Sequence, residues 1–247
     1  MKRLQQGLAL LLAVLFLSFG TNVSAKSDHA AVYGTDIVWI YRCNRQADGA
    51  VALTFDDGPH PKLTPIILDI LKQYEIKATF FMIGENAERY PELVNRICEE
   101  GHEIGNHTYS HIQTTKTDRI GLENEVLRCE EIIGSISDTR PKYFRPPQGA
   151  FASDLGSICD ALGYRVILWS IDTRDWCHIP PDEIAANVLH QVRSGDIILM
   201  HDYIGHDSPT PDALKKTIPA LIARGYEFKT ISELLDAKAA FDSSRAD

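Results

Sequence analysis

The stretch Val51-Ala52-Leu53-Thr54-Phe55-Asp56-Asp57-Gly58-Pro59 decides how the rest of the chain is read. A β-favouring, almost wholly apolar run meets two adjacent carboxylates, and Gly58-Pro59 then ends it. A strand apolar on both sides belongs in a parallel sheet covered by helices. The unit recurs downstream. Strand-like runs at 78–83, 102–105, 142–145, 165–171, 197–200 and 227–230 alternate with helical patterns at 64–74, 91–101, 122–133, 153–163, 181–193 and 212–223. Ile67, Leu68 and Leu71 lie at helical spacing, and so do Val126, Leu127 and Ile133. Pro91 and Pro181 open helices, Ser153 is expected to cap one, and Gly101 and Gly163 close two. A further short strand is expected at 38–40 and a helix at the C-terminus. Strands alternating with helices predict an α/β fold with a parallel sheet. About seven repeats favour a closed barrel over an open sheet.

The 247 residues suit a single domain, and a 44% hydrophobic composition supports a core that needs no disulfides. The start of the chain reads differently. Lys2 and Arg3 precede an apolar run at 8–19 broken only by Ser18, and Val23-Ser24-Ala25 supplies a cleavage site. Residues 1–25 are therefore expected to be a secretory signal peptide. The run falls short of the roughly 20 apolar residues a membrane span requires, so no stable membrane insertion is expected after cleavage. Residues 26–47 are then expected to form an N-terminal extension and 48–247 a single folded domain. The formal charge of −9 becomes more negative once Lys2 and Arg3 are removed, which argues against nucleic acid or anionic lipid as partner. Cys43, Cys98, Cys129, Cys159 and Cys177 form no C-x-x-C pair, and Cys98, Cys129 and Cys159 read as small core residues.

The residues with chemistry fall just after strands: Asp56-Asp57, His107 with His111, Arg145, Asp172 with Asp175 and Trp176, and His201-Asp202. In α/β barrels the C-terminal strand ends meet at one mouth, where active sites form. His107 and His111 would lie roughly 13 Å apart in a strand but about 6 Å apart in a helical turn. Their spacing thus serves one metal ion only if the segment turns helically. His102-Glu103 does not begin a metalloprotease motif, because Asn106 stands where histidine is needed. Adjacent carboxylates repel, and a divalent cation relieves that directly. Two histidines and one aspartate leave an open position on zinc. The plainer alternative for Asp57-Gly58-Pro59 is an ordinary turn. Arg145 could merely end a strand, Trp176 could be core, and His201 could be a satisfied buried histidine.

Taken in order, Thr54-Phe55-Asp56-Asp57-Gly58-Pro59, His107-Thr108-Tyr109-Ser110-His111, Arg145-Pro146-Pro147-Gln148-Gly149, Asp172-Thr173-Arg174-Asp175-Trp176 and Leu199-Met200-His201 resemble the five motifs of the polysaccharide deacetylase family. This is the NodB-type domain of carbohydrate esterase family four, and the resemblance covers roughly residues 48–235. It implies a single-domain, distorted (β/α)7 barrel. It implies Asp57, His107 and His111 as ligands of a divalent metal, zinc first and cobalt second. It implies Asp56 as general base oriented by Arg145, and His201 as general acid oriented by Asp175. Trp176 and Leu199 resemble the walls of the acetyl pocket. Gln148 departs from the family's usual tyrosine; its backbone N–H can still serve the oxyanion, and the departure bears on the side-chain wall.

The implied protein is a secreted or cell-envelope monomer that removes N-acetyl groups from a glycan. Peptidoglycan GlcNAc or MurNAc leads as substrate, before chitin oligosaccharides and O-acetyl xylan. A non-catalytic glycan-binding relative and a zinc amidase acting on a peptide or small amide are the competing classes.

Overall fold

The computed structural model describes residues 49–205 and 207–236, together with the backbone of two short strands before them. The expected signal peptide, most of the extension, Cys43 and His206 lie outside the described residues. The two early strands, β1 (Ala30–Val32) and β2 (Val38–Ile40), pair antiparallel. β3 (Ala50–Asp56) is buried at every position. Then follow α1 (Leu63–Gln73), β4 (Thr79–Met82), α2 (Gly84–Arg89), α3 (Pro91–Glu99) and β5 (Glu103–Asn106). The second half holds α4 (Arg119–Ser137), β6 (Tyr143–Phe144), α5 (Leu155–Ala161), β7 (Arg165–Ile167) and β8 (Ile171–Asp172). It ends with α6 (Pro181–Gln191), β9 (Ile197–His201), α7 (Thr210–Ala223) and β10 (Glu227–Phe228). The short α2 has no counterpart in the sequence reading. Asp118 rather than Ser153 makes a side-chain cap, accepting from the Gly121 N–H at 2.8 Å; α5 begins after Asp154 with no side-chain cap.

Seven parallel strands, in the order β7-β6-β5-β4-β3-β9-β8, form the expected distorted (β/α)7 barrel. β2 extends the sheet beyond β7, and β10 pairs with the start of β3. The distortion lies in the run read as one strand over 165–171. Its first half, β7, bonds to β6; its second half, β8, bonds to β9. One stretch of chain thus joins both edges of the sheet. Between the halves, the Ile167 and Leu168 carbonyls accept from the Arg145 guanidinium at 3.2 and 3.1 Å. The Ser170 hydroxyl accepts the Ile197 N–H at 3.1 Å.

The two-residue period of a strand sorts β3 between two layers. Val51, Leu53 and Phe55 pack in one cluster with Ile67, Leu68 and Leu71 of α1, Val188 of α6 and Leu214 of α7. Ala50 and Ala52 face a second cluster with Phe81, Tyr143 and Ile197, together with Ile231, Leu234 and Leu235 from a C-terminal helical stretch. The inward series continues through Thr54 to Asp56, so the barrel interior turns from apolar to polar toward the strand ends. Gly105 of β5 is required by that interior: a β-carbon there would lie 2.3 Å from the Phe81 ring. Gly105→Ala is expected to destabilise the fold by about 1–3 kcal/mol through overpacking. A denaturant midpoint equal to wild type would show that Phe81 can yield.

Among the described residues the cysteines are unpaired thiols, and Cys129 and Cys159 are buried as expected of core residues. No helix of the described residues is long and apolar enough to cross a membrane.

Candidate metal centre and active site

The strand ends gather the predicted residues around one cavity of about 390 Å³. Asp56, Asp57, His107, His111 and His201 line one part, and Gln148, Leu199 and Trp176 another. Arg145 and Asp175 stand behind the wall, each holding a lining residue.

Asp57 leaves the strand alternation at φ 77°, a left-handed conformation that aspartate tolerates better than most residues. Its Oδ1 lies 3.4 Å from His107 Nε2 and 3.3 Å from His111 Nε2. Among the described residues, this is the group whose potential ligand atoms converge, all within 4.8 Å of one another. The histidines meet without the helical turn that spacing alone required. Residues 107–111 form a tight non-helical loop with Thr108 at φ 68° and His111 at φ 55°. Hydrogen bonds from outside the loop replace the missing helical ones. The Gly84 and Glu85 N–H groups donate to the Thr108 and Tyr109 carbonyls at 3.0 and 2.8 Å. The Thr108 N–H donates to Asn106 Oδ1 at 2.9 Å. Ser110 donates its N–H and hydroxyl to the Glu125 carboxylate at 2.8 and 2.9 Å.

A divalent metal fits these donors. His107 Nδ1 is 2.7 Å from the Arg145 carbonyl, so it carries the proton and leaves the Nε2 lone pair facing Asp57. Asp57 Oδ1 is buried and has no hydrogen-bond partner. Such an orphaned oxygen beside two imidazole nitrogens calls for a cation between them. One carboxylate and two imidazoles suit zinc and related ions. In the metal-free protein burial opposes ionisation of Asp57, and the positive charge of a protonated His107 beside it holds the carboxyl below the ordinary range; a metal would take that proton's place.

Asp56 is 3% exposed, and its Oδ1 accepts from Arg145 Nη1 at 2.6 Å. The guanidinium is fully buried. It also donates to Thr54 Oγ1 at 2.8 Å and lies 4.0 Å above the Phe81 ring. This bond leaves Asp56 Oδ2 on the His107 side, 3.8 Å from Nε2.

His201 Nδ1 lies 2.8 Å from Asp175 Oδ1. The buried Asp175 carboxylate also accepts from the His201 N–H, the Trp176 N–H and the Thr210 hydroxyl at 2.8, 2.9 and 2.7 Å. Burial pulls the imidazole pKa down, but Asp175 first, then Asp56 and Asp57, raise it to about 9. In the metal-free protein the ring is therefore expected to titrate near 9 by NMR. The pairing contributes full stability below the ordinary value of 6.5, and that contribution is lost as pH rises through about 9. Asp175→Asn should bring the midpoint well down; an unchanged midpoint would mean Asp175 does not set it.

Trp176 is half exposed rather than core, and its indole N–H donates to Asp172 Oδ1 at 3.2 Å. Gln148 sits at φ 59° on the cavity wall. Trp169 and Asp172 also line the cavity, one hidden inside an apparent strand and the other noticed without a role. Thr54 could have been found by counting inward positions on β3; nothing local marks Trp169 or Thr210.

A family model described as "Polysaccharide deacetylase" matches residues 44–167. Over 185 residues the chain is 43% identical to a peptidoglycan-N-acetylglucosamine deacetylase of Bacillus cereus, covering 74% of this chain and 67% of that protein. It is 36% identical over 197 residues to a chitooligosaccharide deacetylase of Bradyrhizobium, covering 75% and 90%. Among solved structures, the Bc1960 peptidoglycan N-acetylglucosamine deacetylase superposes with a TM-score of 0.77 at 40% identity, covering 79% and 92%. A family 4 acetyl xylan esterase from Clostridium thermocellum, in complex with a cobalt ion, gives 0.72 at 36%, covering 76% and 90%. BA3943 of Bacillus anthracis, a pseudoenzyme of the same family, gives 0.75 at 30%, covering 81% and 69%.

Proposed function

The chain belongs to the polysaccharide deacetylase family, and from that premise we propose that it is exported and removes N-acetyl groups from GlcNAc or MurNAc residues of peptidoglycan. It is a deacetylase, a hydrolase of acetylated glycans. The observation that carries the reading is the convergence of three sets on one cavity: Asp57 with His107 and His111, Asp56 on Arg145, and His201 on Asp175. An active member and a pseudoenzyme share this fold, so the side chains at the strand ends carry the functional argument. Their completeness supports catalysis over glycan binding alone.

Asp57, His107 and His111 would hold a divalent metal, zinc by the donor set and cobalt as an alternative. When bound, the metal lowers the pKa of a coordinated water and polarises the acetyl carbonyl. Asp56 takes the proton of the attacking water. Arg145 ties down one Asp56 oxygen and leaves the other oxygen toward the cavity. The Gln148 backbone N–H stabilises the oxyanion. His201 donates a proton to the departing nitrogen, since an amine leaves only when protonated. Leu199 and Trp176 wall the acetyl methyl group. The products are acetate and a glucosamine or muramic acid amine.

Export follows from the proposed signal peptide, residues 1–25, and places the enzyme outside the cell or in its envelope. Peptidoglycan is favoured by the Bacillus relative; the Bradyrhizobium relative keeps chitin oligosaccharides as the second reading. The test is a comparison of acetylated peptidoglycan fragments, chitopentaose and acetyl-xylan with zinc-loaded protein. Acetate should appear first from peptidoglycan, with a free amine on GlcNAc or MurNAc. Turnover of chitopentaose or acetyl-xylan alone would refute the peptidoglycan assignment.

A further inference from the structure

The chemistry above leaves one buried carboxyl at the site without a task. Asp202 is 1% exposed and follows His201 at the end of β9. The β3–β9 ladder pairs Asp56 with His201 and runs one bond further, the Asp202 N–H donating to the Asp56 carbonyl at 3.1 Å. The Asp202 side chain therefore stands beside the turn that carries Asp57. Its Oδ2 accepts from the Thr64 hydroxyl at 2.6 Å. That hydroxyl oxygen in turn accepts the His60 N–H at 2.7 Å, and the Thr64 N–H donates to the His60 carbonyl at 3.1 Å. Thr64 is wholly buried in the first turn of α1. A two-link chain of hydrogen bonds thus ties the end of β9 to the last residue of the 57–60 turn.

Gly58 shows how closely carboxyl and turn approach. A β-carbon there would lie 2.0 and 2.2 Å from the two Asp202 oxygens. On the far side, the Ile83 N–H donates to the Gly58 carbonyl at 3.0 Å, and Asn86 Nδ2 to the Asp57 carbonyl at 2.7 Å. The turn is gripped from both flanks, and between them Asp57 is kept in its left-handed conformation. Burial pushes the Asp202 carboxyl up to about 7, and its Oδ1 has no hydrogen-bond partner.

We infer that Asp202, acting through Thr64, is a positioning residue that sets the 57–60 turn so that Asp57 Oδ1 meets both histidine nitrogens. The inference rests on Asp57, His107 and His111 as metal ligands and not on the choice of glycan. Residues that orient metal ligands typically contribute about 10–100-fold in affinity. Thr64→Val keeps the shape of the side chain and removes both hydrogen bonds made by its hydroxyl; Thr64→Ser keeps them.

The experiment measures the zinc Kd of the full chain by competition with a chromogenic chelator, beside the thermal midpoint of the metal-free protein. Thr64→Val should raise the zinc Kd about 10-fold or more, and Thr64→Ser should restore it. Asp202→Ala should act in the same direction; should that variant fail to fold, Thr64→Val carries the test. A Thr64→Val protein with wild-type zinc Kd and only a lowered midpoint overturns the inference, since its role is then structural. Acetate release measured in parallel separates the two readings. Wild-type protein that binds zinc yet releases no acetate removes the deacetylase reading, while the Thr64→Val shift would still uphold the positioning role.

Discussion

Asp56→Asn is expected to lower kcat by about 10²–10⁴-fold while the protein still binds zinc. The expectation comes from the proposed division of labour within the carboxylate pair. Asp57 leaves β3 in a left-handed conformation and points its oxygen at two histidines. Asp56 stays in the inward series of the strand, with one oxygen on Arg145 and the other toward the cavity. An amide at position 56 keeps the size and one acceptor for the guanidinium but takes no proton from water. The fold and the ligand set should therefore survive. The check is steady-state kinetics beside metal content on the same preparation. Retained turnover would remove Asp56 as base; lost metal would mean that the two aspartates do not divide the work this way.

Arg145→Met should destabilise the protein by about 3–5 kcal/mol, the cost of leaving a buried charge without its partner. The guanidinium is fully buried and serves four groups: Asp56, Thr54 and the carbonyls of Ile167 and Leu168. Removing it strands the Asp56 carboxylate and two carbonyls at the gap between β7 and β8. The loss should be read from denaturant unfolding of metal-free protein. Because Asp56 and Arg145 touch, the double variant Asp56→Asn with Arg145→Met should lose less than the sum of the two single losses. A single-variant loss below about 1 kcal/mol would place the pair among weakly contributing ion pairs. Activity should fall as well, since Asp56 would lose its orientation.

These two residues also mark the border of what could be read before the fold was known. β3 was legible because it is apolar throughout and ends in paired carboxylates, and the barrel followed from its repetition. The cavity residues were legible because chemistry-bearing side chains recur just after strands. The break between β7 and β8 was not legible. Leu168-Trp169 continues an apolar run, and Arg145, some twenty residues earlier, draws the carbonyls away from a strand ladder. Trp169 was hidden by the same misreading. By spacing alone His107 and His111 share a metal only through a helical turn; the real shape of the 107–111 loop depends on α2 and Glu125. Thr210 reaches Asp175 from a helix that begins after β9, a partnership that no local pattern announces. Local propensity located the strands, and tertiary hydrogen bonds decided where one of them stops.

We propose that the strand-end carboxylates and histidines form a metal-dependent deacetylase site. Acetate release from N-acetylated peptidoglycan fragments by zinc-loaded protein tests it most directly, with free amines counted in the same reaction. Acetate and amine are expected in equal amounts, both lost on chelation and both restored with zinc. Zinc shown to be bound, with no acetate released from any acetylated glycan offered, would contradict it.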